Sequence, residues 1–369
     1  MLTLEQAWER IIAEIAPRTP QAVPLEKSLG LILAEDIVSP TDSPPFDKSL
    51  MDGYAIQMAD LHDGRATLHV VEVVMAGQVP SCEVTPGRAV RLMTGAPLPA
   101  GANVVVPVEL TNAADLNETL KIQTAPLAEG DNILRQGAAM RYGETILSAG
   151  RPLRAQEIGA LAEIGHARVL VRKPPRVAIL ATGDELVPID QTPGPGHIRN
   201  SNEPMLSAQV ALANGVPVEL GIAADDRAMI TERIHTGLES DILILSGGVS
   251  AGEKDLVPAA LSDAGVREVF HTIQLKPGKP VWFGVCDLLT DPSSSVGGTR
   301  RVAVFGLPGN PVSSMVCFEL LVRTAMRRLT GASELLPQPI RCRLEGEQTH
   351  RGGRPTFHPA KLTWKSDGT

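Results

Sequence analysis

The sequence predicts a multi-domain protein of α/β plus β class, built around a doubly wound parallel sheet. Three observations predict it. Between residues 176 and 332, short apolar runs alternate with segments of helical spacing, the pattern of strands joined by crossover helices. Residues 66–132 instead hold four strand-like runs parted by Gly/Pro turns, which reads as a small inserted β domain. A chain of 369 residues is also longer than one core comfortably fills.

Composition narrows the classes. Apolar residues make up 43% and charged residues 21%, enough for packed cores. Aromatics are only 3%, so those cores must be aliphatic. A net charge of −8 argues against a nucleic-acid partner. Cys82, Cys286, Cys317 and Cys342 form no CxxC and are expected to be reduced thiols of a cytoplasmic protein. The opening MLTLEQAWER carries acids early and no apolar leader core, so no secretory signal is expected. No apolar run approaches ~18 residues, so no membrane span is expected either.

Residues 3–16 are expected to form a helix. Thr3 and Gln6 have capping-box spacing, and Leu4, Ala7, Trp8, Ile11, Ile12 and Ile15 make one apolar stripe. In SPPFDKSLMDGYAI, Pro44-Pro45 stops any helix and marks a domain edge. Asp47, Lys48 and Asp52 follow in a non-helical stretch, where the acids could hold a cation or simply be solvated. The inserted β domain is placed at 46–132, with the runs ATLHVVEVVMAG, RAVRLMTGAP, ANVVVPVEL and TLKIQTAP. Its segment Met93–Asn103 is a polar Thr-Gly turn beside prolines. Residues 133–175 are too few for a core of their own. They are expected to complete a mixed, discontinuous N-terminal domain with residues 1–45.

Beyond Arg176 the strands VAILATG, VELGIAA, DILILSGG and VAVFGLPG alternate with helices at Ser201–Ala213, Asp226–Leu238, Asp255–Ala264 and Val312–Leu329. Asp225 or Asp226 would cap the second helix, and Pro311 would open the last. Residues 333–369 are expected to form a short C-terminal β segment.

Four loops of the α/β domain are unusual. They are Thr182-Gly183-Asp184-Glu185, Ser246-Gly247-Gly248-Val249-Ser250 with Asp255 beyond, Lys276-Pro277-Gly278-Lys279-Pro280, and Leu307-Pro308-Gly309-Asn310-Pro311-Val312-Ser313. A doubly wound sheet gathers such loops at the carboxyl edge of its strands. Glycines let backbone N–H groups approach an anion. Lysines suit an oxyanion as point charges, and carboxylates suit a hard cation such as Mg²⁺ that bridges to phosphate. Any one loop alone reads equally as an ordinary βα turn. Four together, with acids that would otherwise repel, point to a site. GxGxxG and GxxxxGK[ST] are absent, so neither a standard dinucleotide fold nor a P-loop is supported. No Ser-His-Asp or Cys-His set is recognisable.

Six ordered motifs then carry a likeness: PPFDKSLMDGYAI, RLMTGAPLPAGANVVVPVE, VAILATGDELV, LSGGVSAGEKD, LKPGKPVWFG and FGLPGNPVSS. Through them the chain resembles the molybdopterin molybdenumtransferases of MoeA type and the E domain of gephyrin. The resemblance implies that 176–332 binds molybdopterin, and that the mixed N-terminal domain dimerises. It implies a homodimer with a shared active cleft. The implied activity is insertion of molybdate-derived molybdenum into adenylylated molybdopterin with release of AMP. Mg²⁺ is the implied cofactor, and molybdopterin adenylyltransferase an implied partner.

Carried over motif by motif, Asp52 and Thr94 would act in the other subunit's cleft. Glu185, Asp226 and Asp255 would hold the cation and serve the nucleotide side. Lys276, Lys279, Ser313 and Arg354 would hold molybdate. Thr182, Gly183, Asp184, Ser246, Gly247, Gly248, Ser250, Pro308, Gly309 and Asn310 would line the substrate. Thr272 stands where many members carry a lysine, so one basic contact is expected to be missing or taken over by His271. The chain also stops at Thr369 where members usually continue, so the smallest β domain is expected to be incomplete. Two other readings compete. One is the adenylyltransferase step, which shares the α/β domain but not the Asp52 segment. The other is a non-catalytic molybdopterin-binding scaffold.

Overall fold

The structure, a computed structural model, describes residues 1–249, 256–289, 299–346 and 353–363. Ser250 and Asp255 lie outside the described residues. The chain falls into two compact units. Residues 1–35, 149–162 and 166–369 form one, and residues 36–148 with 163–165 form the other.

Helix α1 of the first unit spans Leu4–Glu14. The Thr3 hydroxyl accepts the Gln6 N–H while Gln6 Oε1 accepts the Thr3 N–H, so both orphan donors are satisfied. Leu4, Ala7, Ile11 and Ile15 are buried in the same core as the α/β sheet.

That sheet contains β1 (Arg176–Thr182), β2 (Val216–Ala223), β3 (Ile242–Ser246), β4 (Arg267–His271), β5 (Trp282–Leu289) and β6 (Thr299–Leu307). Their spatial order is β2-β1-β3-β6-β5-β4. The first four in that order are parallel. β5 is antiparallel to both of its neighbours, so the expected parallel sheet carries an antiparallel edge. The cause is the short link between β4 and β5, which leaves no room for a crossover helix.

Side chains alternate across the pleat. Val177 and Ile179 face a core shared with α1, with α2 (Asn202–Leu212) and with the late helices. Ala178 and Leu180 face a second core, shared with α3 (Arg227–Gly237) and α4 (Val257–Asp263). The expected helix Val312–Leu329 is interrupted. It runs as α5 (Pro311–Cys317), a π turn at Phe318–Val322, and α6 (Arg323–Thr330).

The second unit is built on a five-stranded sheet in the order Val104–Pro107, Gly53–Ile56, Arg88–Leu92, Arg65–Val74 and Thr119–Gln123. Four of these match the strand-like runs of the sequence. Gly53–Ile56, inside the expected β domain but not among its four strand-like runs, is fully buried as the second strand. In the C-terminal segment, the strand-like runs form no ladder among the described residues. Their only β pairing is an isolated bridge from Thr356 to Lys276. All four cysteines are free thiols. No helix among the described residues is long and apolar enough to cross a membrane.

Candidate active site

One row of backbone pairs closes the carboxyl edge of the six-stranded sheet. Thr182 pairs with Ala223, Ala181 with Ser246, and Ser246 with Leu307. Gly306 pairs with Trp282, and Trp282 with His271. Every loop singled out by sequence begins at this row. β4 runs in the same sense as β6, so the loop after His271 emerges at the same edge despite the antiparallel β5. The loops follow the strand order. The acidic loops after β2 and β1 lie at one flank, the small-residue loops after β3 and β6 in the middle, and the lysine loop between β4 and β5 at the other. Three strand steps separate β1 from β5, a span of roughly 14 Å at ~4.8 Å per step.

At the acidic flank Asp184, Glu185 and Asp226 are all exposed. Asp184 Oδ1 accepts the Asp225 N–H at 2.9 Å. Asp226 caps α3, its Oδ1 accepting the Met229 N–H at 2.8 Å. Glu185 makes no side-chain hydrogen bond or ion pair among the described residues. Carboxylates from two adjacent loops suit Mg²⁺, which takes one or two protein carboxylates and completes its shell with water and phosphate. Among the described residues no group of three or more His, Cys, Asp or Glu side chains could hold a metal by itself.

The middle loops approach each other closely. Gly247 N–H donates to Leu307 O at 3.1 Å. Gly247 has φ +100°, and a Cβ there would sit 2.5 Å from the Thr182 carbonyl oxygen, so only glycine fits without shifting backbone. Ser246 is buried, and its hydroxyl accepts from Asn202 Nδ2 at 2.7 Å. Thr182 Oγ1 is buried without a partner among the described residues. Pro308 is buried, Gly309 is exposed, and Asn310 Oδ1 accepts the N–H groups of Val312 and Ser313 to cap α5. Ser313 is half-buried in the first turn.

At the far flank Lys276 and Lys279 are exposed, and neither pairs with a carboxylate among the described residues. Their loop is seated firmly. A Cβ on Gly278 (φ +108°) would lie 2.5 Å from Cys317 Sγ, and burial pushes that thiol up to about 12. Lys276 N–H donates to Pro355 O and Phe357 N–H to Lys276 O, which brings the Arg354 segment to the same loop. His271 lies between flank and middle, its Nε2 3.0 Å from Val249 O. Thr272 adopts φ +71°, a conformation rare for a β-branched residue.

Within the second unit, Asp52 and Thr94 meet directly. The Thr94 hydroxyl and N–H both donate to Asp52 Oδ1 at 2.6 Å. These bonds, the hydroxyl's first, hold the carboxyl below its usual range.

Residues 2–165 match the family described as MoeA N-terminal region (domain I and II), and residues 178–328 match the one described as probable molybdopterin binding domain. A molybdopterin molybdenumtransferase of Staphylococcus aureus (strain Mu50 / ATCC 700699) is 34% identical over 375 aligned residues, covering 100% of this chain and 85% of the relative. The chain belongs to the MoeA family of molybdopterin molybdenumtransferases. Another such protein, from Nostoc sp. (strain PCC 7120), is 35% identical over 343 residues, 91% of this chain and 76% of its own. A solved molybdopterin biosynthesis MoeA protein from Pyrococcus horikoshii OT3 superposes with TM-score 0.73 at 30% identity, covering 91% of this chain and 81% of that one. In this MoeA-family chain sequence reading passed over two edge residues of note. Asn202 was not singled out within the expected helix Ser201–Ala213. His271 was considered only as a stand-in for a missing lysine.

Proposed function

We propose that this chain inserts molybdate-derived molybdenum into adenylylated molybdopterin and releases AMP. What carries the reading is the order of charge along one sheet edge: carboxylates, then close-packed glycine loops, then two lysines. An extended substrate fits that order, with its nucleotide toward Glu185 and Asp226 and its metal-accepting end toward Lys276 and Lys279. The lysines and Arg354 hold the tetrahedral oxyanion by charge-assisted hydrogen bonds. Mg²⁺ at the acidic flank would neutralise phosphoryl oxygens of the adenylyl linkage. Asp52 and Thr94, joined as one unit, act in a homodimer on the cleft of the second copy. The adenylyltransferase that makes the substrate is the natural upstream partner.

The test is AMP release from adenylylated molybdopterin on adding molybdate. Lys276→Ala removes an exposed side chain and leaves the backbone bonds that seat the tail. Loss of one charged hydrogen bond, about 1.5–3 kcal/mol, predicts a KM for molybdate raised roughly 10- to 150-fold. Equal activity of wild type and variant would defeat the reading.

A further inference from the structure

Asn202 lies at the start of α2, 8% exposed. Its Nδ2 donates to Ser246 Oγ at 2.7 Å and to Gly309 O at 2.8 Å. Ser246 ends β3, and Gly309 lies in the loop after β6. One side chain thus joins the two middle loops of the edge. The Gly309 carbonyl can only accept, which fixes the amide nitrogen toward the loops. Both N–H donors are then engaged, and Oδ1 is left buried with no partner among the described residues. An unpaired buried oxygen costs stability, so packing alone gives no reason for an amide here. Ser246 is 2% exposed, with its oxygen turned to Asn202, so its hydroxyl braces the loop and is not open to a ligand.

We propose that Asn202 is a positioning residue for the transferase reaction. Its amide locks the Ser246–Val249 and Pro308–Asn310 loops at one spacing, so that they present a single preformed surface to the substrate phosphate. The proposal rests on the function given above. Asn202 touches no substrate, and it acts through the two loops. Fixed donors stabilise developing charge without reorganisation, which is why loosening them lowers turnover more than binding.

The experiment compares wild type, Asn202→Ser and Ser246→Ala. Asn202→Ser shortens the side chain so that it no longer spans both loops, while Ser246→Ala keeps the bond to Gly309 and loses the other. Amide hydrogen exchange is read at Gly247–Val249 and at Gly309–Ser313. Asn202→Ser should speed exchange about tenfold or more in both loops together, with β1 and β2 unchanged, and Ser246→Ala should loosen the first loop more than the second. In the AMP-release assay kcat should fall about 10- to 100-fold for Asn202→Ser, with the KM for molybdate within about twofold, because the lysine flank is untouched. Unchanged exchange at both loops, or a uniform rise across the whole unit, would overturn the proposal. If Asn202→Ser does not fold, the Ser246→Ala exchange pattern decides alone. If wild type releases no AMP, the assigned function fails while the exchange data still judge the clamp.

Discussion

Gly247 and Gly309 stand side by side at the sheet edge, yet the structure predicts opposite tolerance to alanine. At Gly247 the new Cβ would lie 2.5 Å from Thr182 O, with φ at +100°. The left-handed conformation costs an L residue about 1–2 kcal/mol. The clashing atom is main-chain oxygen, which cannot swing aside, so β1 or β3 must shift at a further cost of about 1–3 kcal/mol. Gly247→Ala should therefore destabilise the α/β unit by about 2–5 kcal/mol. At Gly309 the new Cβ would meet only Gly247 Cα at 3.7 Å, an ordinary contact, without a positive φ. Gly309→Ala should stay within ~0.5 kcal/mol of wild type. Urea unfolding followed by tryptophan fluorescence reads this unit, since Trp8 and Trp282 both lie in it. Equal stabilities of the two variants would refute the close packing of the β3 loop against β1.

Three other outcomes follow from particular contacts. Glu157 is buried between Arg151 and Arg154, and hydrogen bonds from Arg154, above all, lower its carboxyl to about 2. A depressed folded value stabilises above the unfolded value and is lost as pH falls. A shift of this size integrates to ~3 kcal/mol, which solvent at the half-exposed arginines reduces to about 1–2 kcal/mol. The stability gap between wild type and Glu157→Gln should thus be full at pH 7 and close between pH 4.5 and 2, as urea midpoints would report. Thr94→Val removes the hydroxyl bond to Asp52, so the Asp52 carboxyl should titrate at higher pH by carbon NMR; an unchanged midpoint would contradict the bond. Lys279→Ala should raise the KM for molybdate as Lys276→Ala does, without moving the thermal midpoint, since its side chain is exposed.

The strand–helix alternation after Arg176 was legible because parallel strands buried on both faces read as plain apolar runs. The capping box at Thr3 and Gln6, an aspartate cap at 225 or 226 (Asp226 in the structure) and the four strand-like runs of the β domain were legible for equally local reasons. The antiparallel edge was not. Arg267–His271 carries charged residues and is only partly buried, so its periodicity is faint, and strand direction is a matter of tertiary pairing. Gly53–Ile56 was hidden by its shortness and by the Asp52-Gly53 pair at its start, which reads as a turn. Nothing in the sequence announces the π turn at Phe318–Val322. In the site, the loops were visible through their glycines, prolines and charges. The joining of those loops by Asn202 and His271 was not, because a hydrogen bond between residues 22, 44 or 107 positions apart leaves no local trace. The role of Asn202 emerges only once β3 and β6 are known to be neighbours.

One sheet edge separates a carboxylate flank from a lysine flank, and the proposed chemistry depends on that order. Crystals soaked with molybdate and AMP, with molybdenum located by its anomalous scattering, test this most directly. The account predicts the molybdenum peak within hydrogen-bonding reach of Lys276 and Lys279 through its oxygens, with the nucleotide toward Glu185 on the same edge. Molybdenum bound away from those lysines, or nucleotide on the opposite edge of the sheet, would contradict it.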